Sequence, residues 1–127
     1  MDIHQPEAFG AAQHQATPGM TITDVLADAP AIKEGSRPAV TRLMQGARAN
    51  IIAFHFATGQ ELPDHQAAHP VTIQGLSGTL TLNCAGQDVV LEPGRVVHLA
   101  DHVVHAVTCQ EGPAVLLLTM LTGQDAS

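Results

Sequence analysis

Histidine is the residue type here with the most chemical reach, and its spacing is uneven. Of 8 histidines, His65 and His69 fall in Gly59-Gln-Glu-Leu-Pro-Asp-His65-Gln-Ala-Ala-His69. His98, His102 and His105 fall in Gly94-Arg-Val-Val-His98-Leu-Ala-Asp-His102-Val-Val-His105, about forty residues on. Neutral imidazole is the commonest protein ligand for metal ions. Two such clusters at strand ends, brought together by a closed sheet, would make a metal site. Carboxylates flank the first cluster at Glu61 and Asp64. They would orient a ligand imidazole through its second nitrogen, although exposed loop carboxylates are the simpler reading. No nucleophile is marked for activation: Ser77 sits beside Gly78 in an expected tight turn with no adjoining base.

The elements that must position these residues read as strands. Ala39–Met44 and Asn50–Ala57 are expected strands about a turn at Gln45-Gly46. Val71–Leu76 and Thr79–Cys84 follow, separated by Ser77-Gly78. Leu80, Leu82 and Cys84 alternate with Thr79, Thr81 and Asn83, the period of two of a strand with one buried face. Ala85-Gly-Gln-Asp is a hairpin turn before Val89–Leu91. Glu92-Pro-Gly-Arg has the Pro and Gly placement of a type II turn. Arg95–Leu99, Val103–Thr108 and Ala114–Leu121 complete the set. Short strands with turn signals between them indicate an all-β sandwich or barrel. Residues 1–37 read as an arm, packed on the barrel or a neighbouring subunit or else disordered over the first fifteen or so residues; Met20–Leu26 suggests a short strand and Asp24–Ala29 a helical turn. Residues 38–123 read as one barrel domain.

Composition narrows the partners. The net charge is −7 over 127 residues, and the five basic residues, Lys33, Arg37, Arg42, Arg48 and Arg95, do not cluster. Nucleic-acid binding needs clustered cations, so it is not expected, nor is an anionic membrane surface. Three Phe with no Trp or Tyr give few stacking surfaces and no phenol. Two cysteines are no disulfide framework. With no apolar leader in view, the expected location is the cytoplasm.

These residues resemble the cupin superfamily, specifically small single-domain bacterial cupins. Gly59, His65 and Gly78 resemble the first cupin motif: Gly, five residues, His-x-His, three or four residues, Glu, six residues, Gly. Gly94 and His105 resemble the second: Gly, five residues, Pro-x-Gly, two residues, His, three residues, Asn. The resemblance spans about Arg42 to Leu121. It departs where the second His falls on Ala67, the Glu on Val71, the Pro and Gly on Ala100 and His102, and the Asn on Cys109.

The resemblance implies a double-stranded β-helix (jelly-roll) barrel with an added arm, often a homodimer. It also implies one divalent transition metal per subunit (Fe, Mn, Ni, Zn or Cu) in the barrel mouth. Only His65 and His105 carry over as ligands. A catalytic metal takes about three protein ligands and an open position. His69 is the best third, because residues 65, 67, 69 and 71 share a face if the chain stays extended; the alternative is a solvent-facing loop histidine. His102 is a candidate fourth, or a turn residue at the rim. His98 faces the other sheet surface or a subunit contact, and His55 lines the cavity or is structural. His4 and His14 are most simply solvated. Cys109 shares parity with His105 and is a thiolate candidate or a small buried hydrophobe; Cys84 is core.

An all-neutral ligand set would favour an anionic co-ligand. An apolar pocket lined by Val71, Ile73, Leu80, Leu82, Val97, Leu99, Val103, Val107 and Leu117 is expected to take a small organic molecule. The functions in view are a metal-dependent dioxygenase or isomerase-like enzyme, a non-enzymatic sensor or carrier, and a scaffold whose site has degenerated.

Overall fold

The computed structural model describes residues 3–16 and 18–123, so residues 1, 2 and 17 of the expected arm lie outside it. The strands are β1 (Ile3–His4), β2 (His14–Gln15), β3 (Ala39–Gln45), β4 (Asn50–Phe56), β5 (Glu61–Ala67), β6 (Val71–Cys84), β7 (Gln87–Val90), β8 (Val96–Leu99) and β9 (His105–Met120). A 3-10 turn at Pro6–Phe9 and a short helix α1 (Val25–Asp28) interrupt the arm. Asp24 caps α1 by accepting from the Ala27 N–H at 3.2 Å. Among the described residues no helix is long and apolar enough to cross a membrane.

Two long strands organise the molecule. The first half of β6 pairs with β8 and with the end of β9; its second half pairs with β7 and the start of β9. β4 joins the end of β9, and β5 joins its start. The pairings therefore trace two faces, β2-β3-β4-β9-β6-β8 and β1-β5-β9-β6-β7, which share β6 and β9. This is the double-stranded β-helix, a sheet curled so that its inner faces enclose one core.

Alternating apolar residues supply that core. Ile52, Phe54 and Phe56 of β4 meet Ile73, Leu80 and Leu82 of β6 and Leu116 and Met120 of β9, all essentially inaccessible. Each such side chain contributes about 1.5–3 kcal/mol. The inward parity changes along both long strands. In β6 it passes from Val71 and Ile73 to Leu80 and Leu82. In β9 it passes from His105, Val107 and Cys109 to Ala114, Leu116, Leu118 and Met120. Register shifts between Gly75 and Leu80 mark the bend in β6. Gly78 lies there at φ +72°, and a Cβ on it would fall 2.5 Å from the Ala114 Cβ. The two bends thus cross in backbone contact, which only glycine permits.

The bends correct several expectations. Val71–Leu76 and Thr79–Cys84 are one strand, as are Val103–Thr108 and Ala114–Leu121 apart from their outermost residues. Ser77 is in a strand rather than a turn, with its Oγ accepting from the Val115 N–H at 3.2 Å. Leu117 is half-buried on the outer face, because the expected lining assumed one parity throughout β9. Val97 and Val103 pack only partly against the core. The type II turn closes as expected, Arg95 N–H donating to the Glu92 carbonyl at 2.9 Å with Gly94 at φ +94°.

The arm adds β1 beside β5 and β2 beside β3, both parallel. Phe9 fixes it, its ring edge-on to Phe54 with centroids 5.6 Å apart. The buried Arg42 guanidinium donates to the Gly10 carbonyl at 3.2 Å and to Asn50 Oδ1 at 2.9 Å. Met20–Asp24 forms no strand, and Met20, Ile22 and Leu26 are exposed.

Candidate functional site

Antiparallel pairing of β5 with the start of β9 sets His65 opposite His105. Opposed residues have Cβ atoms about 4.5–5.5 Å apart, so inward-facing rings must meet. Their centroids are 4.2 Å apart with planes inclined 56°. Both residues are buried, at 7 % and 2 % exposure. Each Nδ1 faces a carbonyl of its own chain two residues back: His65 on Pro63 at 2.8 Å, His105 on Val103 at 2.9 Å. A carbonyl only accepts, so each Nδ1 carries hydrogen and the lone pair of a neutral ring lies on Nε2. Burial holds the His105 imidazole below the usual histidine range, and the nearby His4 adds to this. The Val103 hydrogen bond and Asp64 oppose it. His105 is thus favoured as a neutral donor.

Two further groups reach this pair. Cys84 stands opposite His105 on the far side of β9, in register across β6, and packs partly against the core. His4 comes from the arm. β1 pairs with β5 so that His4 lies beside Ala67, and the Ala68 N–H donates to the His4 carbonyl at 2.9 Å. Its ring sits 5.2 Å from the His65 centroid and edge-on to Phe9 at 5.2 Å. The His4 Nδ1 is buried with no hydrogen-bond partner. Solvation of His4 was the expectation; pairing of the arm with β5 draws it in instead. A two-residue strand carries no periodicity, so no sequence signal marked it.

The other candidates lie elsewhere. His69 is half-buried, and its Nε2 meets Gln5 Oε1 at 3.0 Å, so it clasps the arm. β5 ends at Ala67, so the extended run that would have aimed His69 with His65 stops short. His102 has φ +63° and is exposed, its Nδ1 3.0 Å from Asp101 Oδ2. That contact holds the Asp101 carboxyl below its ordinary range. The structure therefore brings His65 and His105 together and leaves His69 and His102 outside the pair. His98 is exposed, and the His55 Nδ1 meets the Pro30 carbonyl at 2.7 Å. Cys109 is in the core, where burial raises its thiol above the ordinary value.

A cleft of about 150 Å³ opens beside the pair, lined by His4, Arg37, Leu62, Pro63, Asp64 and His65. It is more polar than the expected apolar pocket, because the core side chains pack against one another. A wider cleft of about 420 Å³, lined by Arg48, His69, Pro70, Asp101 and Thr122 among others, lies at the end of β9.

No protein-family model and no curated protein matches the sequence. Solved structures do match. A cupin superfamily protein from Desulfitobacterium hafniense is 22 % identical over 72 % of this chain and 83 % of its own, with TM-score 0.63. An RmlC-like cupin from Desulfovibrio desulfuricans is 21 % identical over 80 % and 97 %, with TM-score 0.68. An uncharacterised protein with a double-stranded β-helix domain from Klebsiella pneumoniae is 16 % identical over 86 % and 95 %, with TM-score 0.69. The chain has the cupin fold.

Within this cupin barrel, the donor set of the motifs is only half present. Ala67 and Val71, at the positions of the second His and the Glu, are buried at 6 % and 1 % exposure and offer no donor atom. Among the described residues no three His, Cys, Asp or Glu side chains converge on one ion position. The two opposed imidazoles, each with its Nδ1 on a carbonyl, do fit two ligand positions of a transition metal.

Proposed function

We propose that this cupin-fold chain binds one divalent transition-metal ion on His65 and His105, with a small anionic molecule beside it. The opposed, buried imidazoles, each held by Nδ1 on its own chain, are the observation that carries the reading. Metal-binding histidines almost always use the second ring nitrogen in this way. A bound ion would act as a Lewis acid toward an oxygen of the small molecule.

The chain's own groups would do the rest. His65 and His105 offer neutral donors and no anion, so a divalent ion on them keeps its charge and favours an anionic neighbour. Arg37 lines the adjoining cleft, is exposed and forms no ion pair with another described residue. Its guanidinium would hold a carboxylate by paired hydrogen bonds. Asp64, on the same cleft, would accept a proton from a bound ligand or bridge it through water. At about 150 Å³ the cleft falls below the usual range for drug-sized ligands, so the ligand is a compound of few atoms such as a short carboxylic acid.

Metal content of untagged protein tests the reading. Near-stoichiometric metal in the native chain, lost in His65→Ala and in His105→Ala, is expected. Metal-free protein whose melting temperature does not move when divalent ions are added would refute it.

A further inference from the structure

We infer that the wider cleft at the end of β9 binds a small zwitterion of dipeptide size, with Arg48 taking its carboxylate and Asp101 its ammonium group. No described residue lines both this cleft and the one beside His65, so zwitterion binding is independent of any metal there.

The backbone sets the two charges on opposite walls. Residues 68–70 form the floor. At one end of it the Ala67 carbonyl accepts from the His102 N–H at 2.8 Å, and at the other the Pro70 carbonyl accepts from the Leu121 N–H at 2.8 Å. Asp101 therefore stands at the first end and Thr122 at the second. Arg48, from the turn between β3 and β4, joins the second. A Cβ added to Gly123 would fall 3.2 Å from Arg48 Cγ and 3.5 Å from its Nη1. The Arg48 side chain thus lies along the backbone that leaves β9 instead of reaching away from it. The floor between the walls spans three steps of chain, at most about 11 Å.

The walls differ in hydrogen bonding as well as in charge. Thr122 Oγ1 accepts from Asn50 Nδ2 at 3.1 Å, and the buried Asn50 accepts in turn from Arg42 Nε at 2.9 Å. This chain fixes Thr122 as an acceptor toward the core and leaves its O–H as a donor on the same wall as Arg48. On the opposite wall, Asp101 Oδ2 meets His102 Nδ1 at 3.0 Å. That contact holds the carboxyl below its ordinary range, so it is ionised at neutral pH. A carboxylate has lone pairs for further donors. His69 Nε2 is taken by Gln5 Oε1 at 3.0 Å, so in the neutral ring Nδ1 is an acceptor. Donors on one side and acceptors on the other are separated by the apolar surface of Pro70 and Leu121.

A simple anion in this cleft would gain Arg48 and meet the Asp101 carboxylate; a simple cation would meet the reverse. A zwitterion matches both ends. The guanidinium suits a planar carboxylate, which it holds by two parallel hydrogen bonds. The cleft volume of about 420 Å³ falls within the usual range for small-molecule sites, about 300–1,000 Å³. An extended dipeptide is about 7 Å long, which spans the floor once the Asp101 and Arg48 side chains reach inward from its ends.

Titration of the native chain with L-alanyl-L-alanine, followed by backbone amide chemical shifts, tests the site. Two capped probes accompany it: N-acetyl-alanylalanine, which has no ammonium group, and alanylalaninamide, which has no carboxylate. The dipeptide should shift the amides of residues 68, 69, 101, 102 and 121–123. Each capped probe should bind at least about threefold more weakly, within the modest effect of exposed charge pairs. In Arg48→Gln the dipeptide and its amide should bind equally, while the acetyl cap keeps its penalty. In Asp101→Asn the acetyl cap should cost nothing, while the amide keeps its penalty. Both side chains are exposed, so both variants should melt as the native chain does. A loss of fold would weaken all three probes together and could not produce this crossed pattern.

Equal binding of the three probes to the native chain would overturn the assignment. So would penalties that persist unchanged in the matching variants, shifts centred away from this cleft, or no shift with the dipeptide raised to about 10 mM.

Discussion

Replacing His105 by Asn should flatten the dependence of stability on pH in the mildly acid range. Burial depresses the basicity of His105 in the folded chain from its ordinary value of 6.5. In the unfolded chain the same ring is solvated and titrates normally. As pH falls through about 6.5 the unfolded state takes up a proton that the folded state refuses. Stability rises with pH wherever the unfolded state binds more protons, so here it falls as the solution is acidified. The loss continues until the folded pKa is reached, and above about pH 7.5 it disappears. One proton corresponds to a limiting slope of about 1.4 kcal/mol per pH unit.

The groups that face His105 are His4 from β1, Asp64 and His65 from β5, and Cys84 from β6. Asp64 favours the protonated ring and His4 opposes it, but burial is the largest influence. Asn cannot titrate, and its amide is able to donate toward the Val103 carbonyl in place of Nδ1. Urea unfolding of both proteins between pH 5 and 8, with chelator present to remove metal linkage, measures the difference. The native chain should lose stability more steeply than His105→Asn below pH 6.5. Parallel curves, or a steeper loss in the variant, would refute the claim that burial holds this ring neutral.

Two other outcomes follow from packing. Leu82→Ala removes a side chain at 1 % exposure from the centre of the core and should cost about 2–5 kcal/mol in urea unfolding; a cost under 1 kcal/mol would mean that the barrel wall collapses around the gap. Cys109 is buried and its thiol is held above the ordinary range, whereas Cys84 is half-buried. A thiol reagent at pH 8 should therefore modify Cys84 first and Cys109 only on unfolding, and equal rates would contradict the burial of Cys109.

The strands were legible because they follow from local pattern. Alternation at Thr79–Cys84 and the glycine and proline turns specify β-structure through side-chain parity and backbone torsion, which depend on neighbours in sequence. The histidines at 65 and 105 could be singled out from the other clustered histidines because, with Gly59 and Gly94, they resemble the cupin motifs. The same local logic misled at Leu117, because the parity reversal between Cys109 and Ala114 arises where β6 and β9 bend across one another. It misled at His69 and His102 as well: one is drawn to Gln5 in the arm, and the other is turned outward at positive φ.

By itself, the sequence determined an all-β chain with two histidine-bearing strand ends. Only the tertiary structure decided which rings share a space, because register between distant strands is set by closure of the whole barrel. That closure sets His65 against His105 and lays an arm residue, His4, beside Ala67, contacts between positions whose separation along the chain carries no periodic signal.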